Sequence, residues 1–254
     1  MITFDLSRCV GCGSCVRVCP MGYLTLEDKV PQVRQRRRCI ECGHCVATCP
    51  KQAVSLTVPG VELHCPAPEN ELEQLMLRRR SVRHFRTDPP PREIIQRALD
   101  LAEYAPSGKN AHQHHWTVLY GLEETEKVTE MALEFSERTG EAKELIKIKA
   151  AGTNLLTCDA PCVIIAWSPD DALNPVADPV LALALVELQL NKAGLATCWG
   201  GYLKQIAQAD RDLSAYLGIP DGANLRCALM VGYAKGENYP NQPPRPKASA
   251  HWLG

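Results

Sequence analysis

CVGCGSCVRVCP at residues 9–20 and CIECGHCVATCP at residues 39–50 share one cysteine pattern. Both runs have the spacing C-x2-C-x2-C-x3-C-P, and the second repeats the first after 30 residues. Three of the eight other positions match as well, including the glycine after the second cysteine. A repeat of this quality indicates a shared chemical task for its cysteines, which are Cys9, Cys12, Cys15, Cys19, Cys39, Cys42, Cys45 and Cys49.

This spacing is the one by which bacterial ferredoxins bind two [4Fe-4S] clusters, with the fourth cysteine of each run ligating the other run's cluster. A cubic cluster offers four iron corners to soft thiolates, and x2 spacing lets three sulfurs of one tight loop reach three corners. Glycines suit a backbone that folds closely around an inorganic core. The sequence therefore predicts an electron carrier with one cluster on Cys9, Cys12, Cys15 and Cys49, and another on Cys39, Cys42, Cys45 and Cys19.

Disulfides and zinc are the alternatives for these cysteines. The N-terminus lacks a basic-then-apolar leader, so an oxidising compartment is not expected. Zinc usually takes two separated C-x2-C pairs instead of runs of four. Five further cysteines are interpreted as small apolar residues that fill the core of a protein from a reducing, anaerobic setting. They are Cys65, Cys158, Cys162, Cys198 and Cys227. A redox pair of Cys158 and Cys162 is the alternative for two of them.

The chain length of 254 residues allows more than one domain. We expect a cluster-binding domain at residues 1–58, a linker rich in proline and polar residues at 59–71, and a second domain at 72–254. No apolar run reaches the length of a membrane span, and the sequence predicts a cytoplasmic protein.

The net charge of −1 conceals a basic N-terminal part. Residues 1–58 hold eight Lys or Arg against four Asp or Glu, which leaves 20 basic and 25 acidic residues for the remainder. The run RQRRR at 34–38 is either a solvated loop or a docking patch for an acidic electron donor. No aromatic residues interleave these arginines, so nucleic acid is not favoured as a partner.

Periodicity in the second domain predicts helices at 70–80, from Asp88 to about 105, at 123–138, and from Asp178 as N-cap to Ala193. Strands are predicted at 116–121, 161–167 and 227–233. Few strands among helices, without a repeated strand-helix period, favour the α+β class. The sequence contains neither G-x-G-x-x-G nor a P-loop motif, so neither nucleotide-binding loop is encoded.

Several blocks of the second domain resemble the ferredoxin-fused branch of the FMN-dependent nitroreductase superfamily. The similarity spans nearly the whole chain and keeps the family's order of blocks, which are RRRSVRHF at 78–85, APSGKN at 105–110, GLATCWGGYL at 194–203, LGIPDGANLRCALMVGYAKGENY at 217–239 and a final PPRPKASAHW. The resemblance implies a nitroreductase-like homodimer whose two FMN sites each use both chains.

The resemblance also implies which residues bind FMN. Arg79, Arg80, Ser81 and Arg83 match contacts to the phosphate, the ribityl chain and the pyrimidine edge, and Arg245 matches a further phosphate ligand. Arginine forks suit a phosphate dianion. The backbone N–H to flavin N5, the catalytic position, falls on Gly200 or Gly201. Contacts from the partner subunit match Pro106, Ser107 and Asn110.

Two departures from the family pattern stand out. Relatives usually follow the asparagine with x-Gln-Pro, whereas Ala111, His112 and Gln113 follow it here, so the contact normally made by that Gln is in doubt. The histidines at 112, 114 and 115 are interpreted as surface and packing residues, with a metal site as the alternative. Pro240 and Asn241 also replace a basic position of the family, so that side supplies fewer charges.

The leading functional hypothesis is an oxidoreductase that takes electrons from a reduced ferredoxin or similar donor. They would pass through the two clusters to FMN and reduce an organic acceptor, such as a nitroaromatic, a quinone or an activated alkene. One alternative is reduction of FMN by NAD(P)H, with the clusters as the electron outlet. Another is a redox carrier or sensor without a substrate of its own.

Overall fold

A computed structural model describes residues 1–254, and the chain divides into two compact units. The first unit combines Met1–Arg80 with Glu237–Gly254, and the second is Ser81–Gly236. The packing thus groups the last residues of the chain with the cysteine-rich part. The functional boundaries at 58 and 71 remain predictions.

Short strands and helices build the first unit. Strand β1 pairs with β4 in antiparallel fashion, β2 with β3, and β5 with β10. The elements of this unit are β1 (Ile2–Phe4), α1 (Ser14–Arg17), β2 (Leu24–Glu27), β3 (Val30–Val33), α2 (His44–Thr48), β4 (Val54–Leu56), β5 (Leu63–His64), α3 (Glu71–Arg78) and β10 (Arg245–Pro246).

The β2–β3 hairpin turns through Asp28 and Lys29, whose φ angles are 48° and 66°. Positive φ at both central residues matches the right-handed twist of the flanking strands. Leu24 on this hairpin packs with Val54 and Leu56 of β4 in a small buried core. Cys45 also belongs to that core, so the strands hold the cysteine runs directly.

Helix α3 begins where the sequence predicts it. The Asn70 side chain accepts a hydrogen bond from the Glu73 N–H at 2.9 Å, and the Glu73 carboxylate accepts one from the Glu69 N–H at 2.7 Å. This reciprocal cap satisfies amide donors that the first helical turn leaves without partners. The helix ends at Arg78, directly before the arginines matched to FMN phosphate.

The second unit is a four-stranded antiparallel sheet with helices on both faces, in the strand order β6-β7-β9-β8. This mixed architecture confirms the predicted α+β class. The elements are α4 (Arg92–Ala102), a 3-10 turn at Gly108–Asn110, β6 (His115–Tyr120), α5 (Leu122–Thr139), α6 (Lys143–Ala150), β7 (Cys162–Pro169), α7 (Ala177–Lys192), β8 (Ala196–Trp199), α8 (Gly201–Ala209), α9 (Arg211–Tyr216) and β9 (Ala223–Gly232).

Strand β7 runs through the middle of this unit and is buried on both faces. Cys162, Ile164 and Ala166 point to one face, where they pack with α4 and α7. Val163 and Ile165 alternate with them and are equally inaccessible to solvent. A strand covered on both sides reads as a continuous apolar run, which explains the sequence CVIIAW.

Two predicted helix starts are wrong. Helix α7 begins at Ala177 with Val176 as N-cap, so Asp178 lies inside the first turn. Its carboxylate Oδ2 instead accepts a hydrogen bond from the distant Gly108 N–H at 3.1 Å. Helix α4 begins at Arg92, because Asp88 pairs with Arg86 at 3.0 Å and does not cap the helix.

None of the helices combines the length and the apolar character that a membrane span requires.

Candidate functional site

The eight cysteines of the two runs line two separate cavities, four around each. In each set the fourth cysteine comes from the other run. The first cavity is lined by Cys9, Cys12, Cys15 and Cys49, and the second by Cys19, Cys39, Cys42 and Cys45.

The surroundings of these thiols suit thiolates that bind iron. Backbone N–H groups of Tyr23 and Ala53 donate to the sulfurs of Cys19 and Cys49, both at 3.2 Å. Burial, and after it the neighbouring Cys12 and Cys49, raise the pKa of Cys15 to about 11. Thiolates this close repel one another, and cluster iron would neutralise that repulsion, so the residues fit the cluster.

The two runs differ in what covers them. Gly13 and Gly43 occupy equivalent positions, each with φ of 72°. A methyl group added at Gly13 would have its only neighbour, Leu26 Cδ2, at 3.5 Å, whereas one added at Gly43 would lie 2.5 Å from Pro243 Cβ. The C-terminal residues therefore pack directly on the second run.

Arginines gather in the first unit as the resemblance implies for a phosphate site. Burial, then the charges of Arg245 and Arg79, lower the pKa of Arg80 to about 10, while Tyr239 acts in the opposite direction. The buried Nε of Arg80 has no hydrogen-bond partner. Like charges held together with an unsatisfied donor form an environment that an anion would stabilise.

The second unit contains an open cleft of about 720 Å³. Arg83 and Gly201, two residues matched to flavin contacts, line it. The sequence analysis did not predict the other residues that line this cleft. Two of them, Trp199 and Tyr202, lie within the GLATCWGGYL block on which the family resemblance rests. The remaining lining residues are Leu155, Cys158, Cys198, Gln205 and Met230.

The two candidate glycines have different backbone environments. The Gly200 N–H donates to the carbonyl of Ala228 at 2.8 Å, so it is already used within the sheet. Gly201 is the first residue of α8, where amides have no partner inside the helix. A methyl group added at Gly201 would meet no protein atom within 4 Å, which leaves this amide the more accessible of the two.

A buried carboxylate holds the loop that contains Pro106, Ser107 and Asn110. Asp178 accepts the Gly108 N–H, and Ser107 Oγ accepts the His112 N–H at 3.1 Å. Lys109, Asn110 and His112 have φ angles of 51°, 56° and 45°. Strained backbone of this kind is found at functional sites when the surrounding contacts fix it.

The nearby histidines pack among other side chains. His114 is buried, with Nε2 3.3 Å from Glu103 Oε1, and the His115 ring stacks on Trp167 at a centroid distance of 4.4 Å. Gln113 Oε1 accepts the Leu173 N–H at 3.0 Å.

Most of the extra cysteines are buried, as expected for apolar fillers. Burial raises the pKa of both Cys162 and Cys227 to about 12 and keeps them as neutral thiols. Cys158 and Cys198 are also buried but line the cleft, and Cys65 is exposed. All five are free thiols, and neither unit contains a disulfide bond.

Comparison with known proteins follows the same division of the chain. Residues 76–233 match the model of the nitroreductase family, and residues 1–50 match a 4Fe-4S dicluster domain. Iodotyrosine deiodinase of Nematostella vectensis is 26% identical over 196 residues, covering 69% of this chain and 72% of the relative.

Two solved structures share the fold. A nitroreductase with bound FMN from Bacteroides fragilis has a TM-score of 0.64 and 21% identity, over 73% of this chain and all of that one. Another with bound FMN, from Desulfitobacterium hafniense, has a TM-score of 0.59 and 23% identity, over 69% of this chain and 95% of that one.

The sheet, the cleft and the cysteine cavities together define an oxidoreductase with an iron-sulfur domain. The chain belongs to the nitroreductase family and carries the 4Fe-4S dicluster domain at its N-terminal end.

The different surroundings of the two equivalent glycines lead to a testable difference. Alanine at either position strains the backbone similarly, by about 1 kcal/mol. Gly43→Ala should lower the free energy of unfolding by about 1–3 kcal/mol more than Gly13→Ala does, because its methyl group would clash with Pro243. The measurement is the temperature at which the visible iron-sulfur absorbance is lost, with Gly13→Ala as the matched control. An equal decrease of this temperature in the two variants would contradict the packing of Pro243 on Gly43.

Proposed function

We propose that this protein is an iron-sulfur flavoprotein oxidoreductase with two [4Fe-4S] clusters and FMN. Electrons of a ferredoxin-type donor reach an organic acceptor through these groups; the acceptor is a nitroaromatic, a quinone or an activated alkene. The observation that carries the proposal is the gathering of eight cysteines, four around each of two cavities, in a chain whose other unit has the nitroreductase fold. FMN, when bound, converts one-electron supply into two-electron chemistry.

Phosphate binding is assigned to Arg79, Arg80 and Arg245. Support comes from the lowered pKa of Arg80 and from its buried Nε without a hydrogen-bond partner. A phosphate dianion offers three acceptor oxygens to these guanidinium groups and relieves their mutual repulsion. The three arginines therefore hold the anionic end of the cofactor.

Flavin binding is assigned to Ser81, Arg83 and the start of α8. Arg83 lines the cleft, and a cation beside the pyrimidine edge favours an anionic reduced ring. Gly201 is preferred to Gly200 as the donor to N5, because the Gly200 amide is bonded to Ala228. The backbone amide of Gly201 would orient the ring without any side chain intervening.

Pairing of two copies is the next element of the proposal. Leu181 and Leu185 lie one turn apart on α7 and are 45% and 40% exposed, and Leu173 and Val176 just before the helix are each 50% exposed. Apolar side chains in such a row on a central helix are typical of a surface that another chain covers. A second copy of this chain would cover it and would bring Pro106, Ser107 and Asn110 to the flavin.

The acceptor would bind in the cleft beside the flavin. Trp199 and Met230 give this cleft apolar walls suited to a flat ring, and Trp199 Nε1 donates to buried Glu187 at 3.0 Å, which fixes the indole. A planar ring stacks well on such surfaces. The walls mainly orient the acceptor and exclude water, and the chain's side chains supply no obligatory general acid.

The donor can be identified by mixing experiments under anaerobic conditions. We expect reduced ferredoxin to bleach the visible flavin band of the reconstituted protein faster than NADH or NADPH does, because the clusters accept electrons singly. Stopped-flow absorbance gives the three rates. Faster bleaching by a nicotinamide would overturn the proposed direction of electron flow.

Gly201→Ala separates flavin binding from folding. The residue starts a helix and its Cβ would meet no protein atom, so the melting temperature without FMN should stay the same or rise slightly. A methyl group against the flavin should weaken FMN binding about tenfold. Titration of FMN fluorescence gives the dissociation constant, and an unchanged constant would place the flavin elsewhere.

Leu185→Glu tests the pairing of two copies. A carboxylate on the apolar face of α7 should convert a dimer into monomers and lower FMN retention, because each site needs both chains. Glu130→Lys, an exposed change on α5, serves as the control and should leave the dimer intact. Light scattering after size exclusion gives the mass. A dimer that persists in Leu185→Glu would exclude this face.

A further inference from the structure

The two cysteine runs are repeats, yet the protein surrounds them differently. Cys12 is exposed, whereas the equivalent Cys42 is only partly exposed. Ser14 is partly exposed, whereas its counterpart His44 is buried. The cysteine spacing is the same in both runs, but different residues pack on each of them.

The C-terminal segment, residues 237–246, covers the second run alone. Thr48 Oγ1 donates to the Asn238 carbonyl at 2.8 Å, and Asn241 Nδ2 donates to the Cys49 carbonyl at 2.6 Å. The rings of His44 and Tyr239 meet edge to face at 5.4 Å. Arg245 Nη2 donates to the Cys42 carbonyl at 2.7 Å, which ties this segment to the loop of the second cavity.

Two residues of the same segment shift the pKa of Arg80, one of the arginines assigned to the FMN phosphate. Arg245 and Tyr239 are two of the groups whose charges shift the pKa of Arg80. Arg245 therefore touches the cysteine loop of the second cavity and belongs to the cluster assigned to FMN phosphate. The loop of the second cavity is thus hydrogen-bonded to an arginine of the proposed phosphate site.

The first cavity also reaches the surface. Val10 lines it and is 58% exposed, and the exposed Lys51 lines it too. Arg17, also exposed, donates to Ser14 Oγ at 3.3 Å beside Cys12. An apolar contact flanked by cations suits a partner whose docking face is acidic.

We propose that the two clusters work in a fixed order. The cluster on Cys9, Cys12, Cys15 and Cys49 accepts electrons from an acidic iron-sulfur carrier that docks around Val10, and the cluster on Cys19, Cys39, Cys42 and Cys45 passes them to the flavin. This order rests on the proposed function. Each step moves one electron, oxidising the carrier and reducing the first cluster, and two such transfers with protons from solvent reduce one FMN.

In the opposite order the carrier would dock beside the second cavity, which also has an exposed surface. The exposed arginines at 36–38 precede Cys39, and Ile40, which is 52% exposed, lines the second cavity. Val10 and Ile40 are equivalent residues, since each follows the first cysteine of its run. They therefore form a matched pair for distinguishing the two orders.

The test compares Val10→Asp with Ile40→Asp in the full reconstituted protein. A carboxylate at the docking site should repel the acidic carrier, and the effect should shrink as salt rises. We expect Val10→Asp to slow reduction of the clusters by reduced ferredoxin about tenfold at low salt, with Ile40→Asp within about twofold of wild type. Stopped-flow absorbance and electron paramagnetic resonance follow the clusters, and dithionite reduces all three proteins as a control for cluster content.

A larger effect of Ile40→Asp, or equal effects of the two changes, would overturn the order. The proposed function has a separate signature in the same experiment, because the flavin band is recorded with the clusters. Wild-type clusters that accept electrons while FMN stays oxidised would overturn the proposed function, and the comparison of the two variants would still decide which cluster the carrier reduces.

Discussion

Burial and mutual repulsion both disfavour thiolates held in sets of four, and that penalty is the constraint on which the rest of the first unit depends. The raised pKa values of Cys15 and Cys45, about 11 and 12, follow from burial first and then from neighbouring cysteines. Iron would remove this penalty, so metal binding and folding of this unit should be coupled. The hairpin around Asp28 and the small core around Leu24 hold the loops to which the clusters would bind.

Anion binding sets a second electrostatic condition. The charges of Arg245 and Arg79 both act on Arg80, and a bound anion would relieve that repulsion as iron would relieve that of the cysteines. Arg245 links the two conditions, because it also donates to the Cys42 carbonyl. The same C-terminal segment therefore supplies Arg245 to this group of arginines and packs on the second cysteine run.

Local patterns predicted much of this protein, and long-range contacts account for what they missed. The grouping of the cysteines into two sets was expected from their spacing, and the helix near residues 70–80 was expected from its apolar periodicity, because both are short-range features. Asp178 was assigned as an N-cap from its place before Pro179, yet its partner is Gly108, 70 residues away. Nothing periodic marks residues 237–246, so their packing on the second run could not be read from sequence.

The central proposal is that one chain binds two one-electron clusters and one two-electron flavin. An anaerobic reductive titration of the purified protein tests it most directly, with visible absorbance recorded after each addition of dithionite. The account predicts uptake of about four electrons per chain, one for each cluster and two for FMN. Uptake of about two electrons, with the flavin band alone responding, would contradict it.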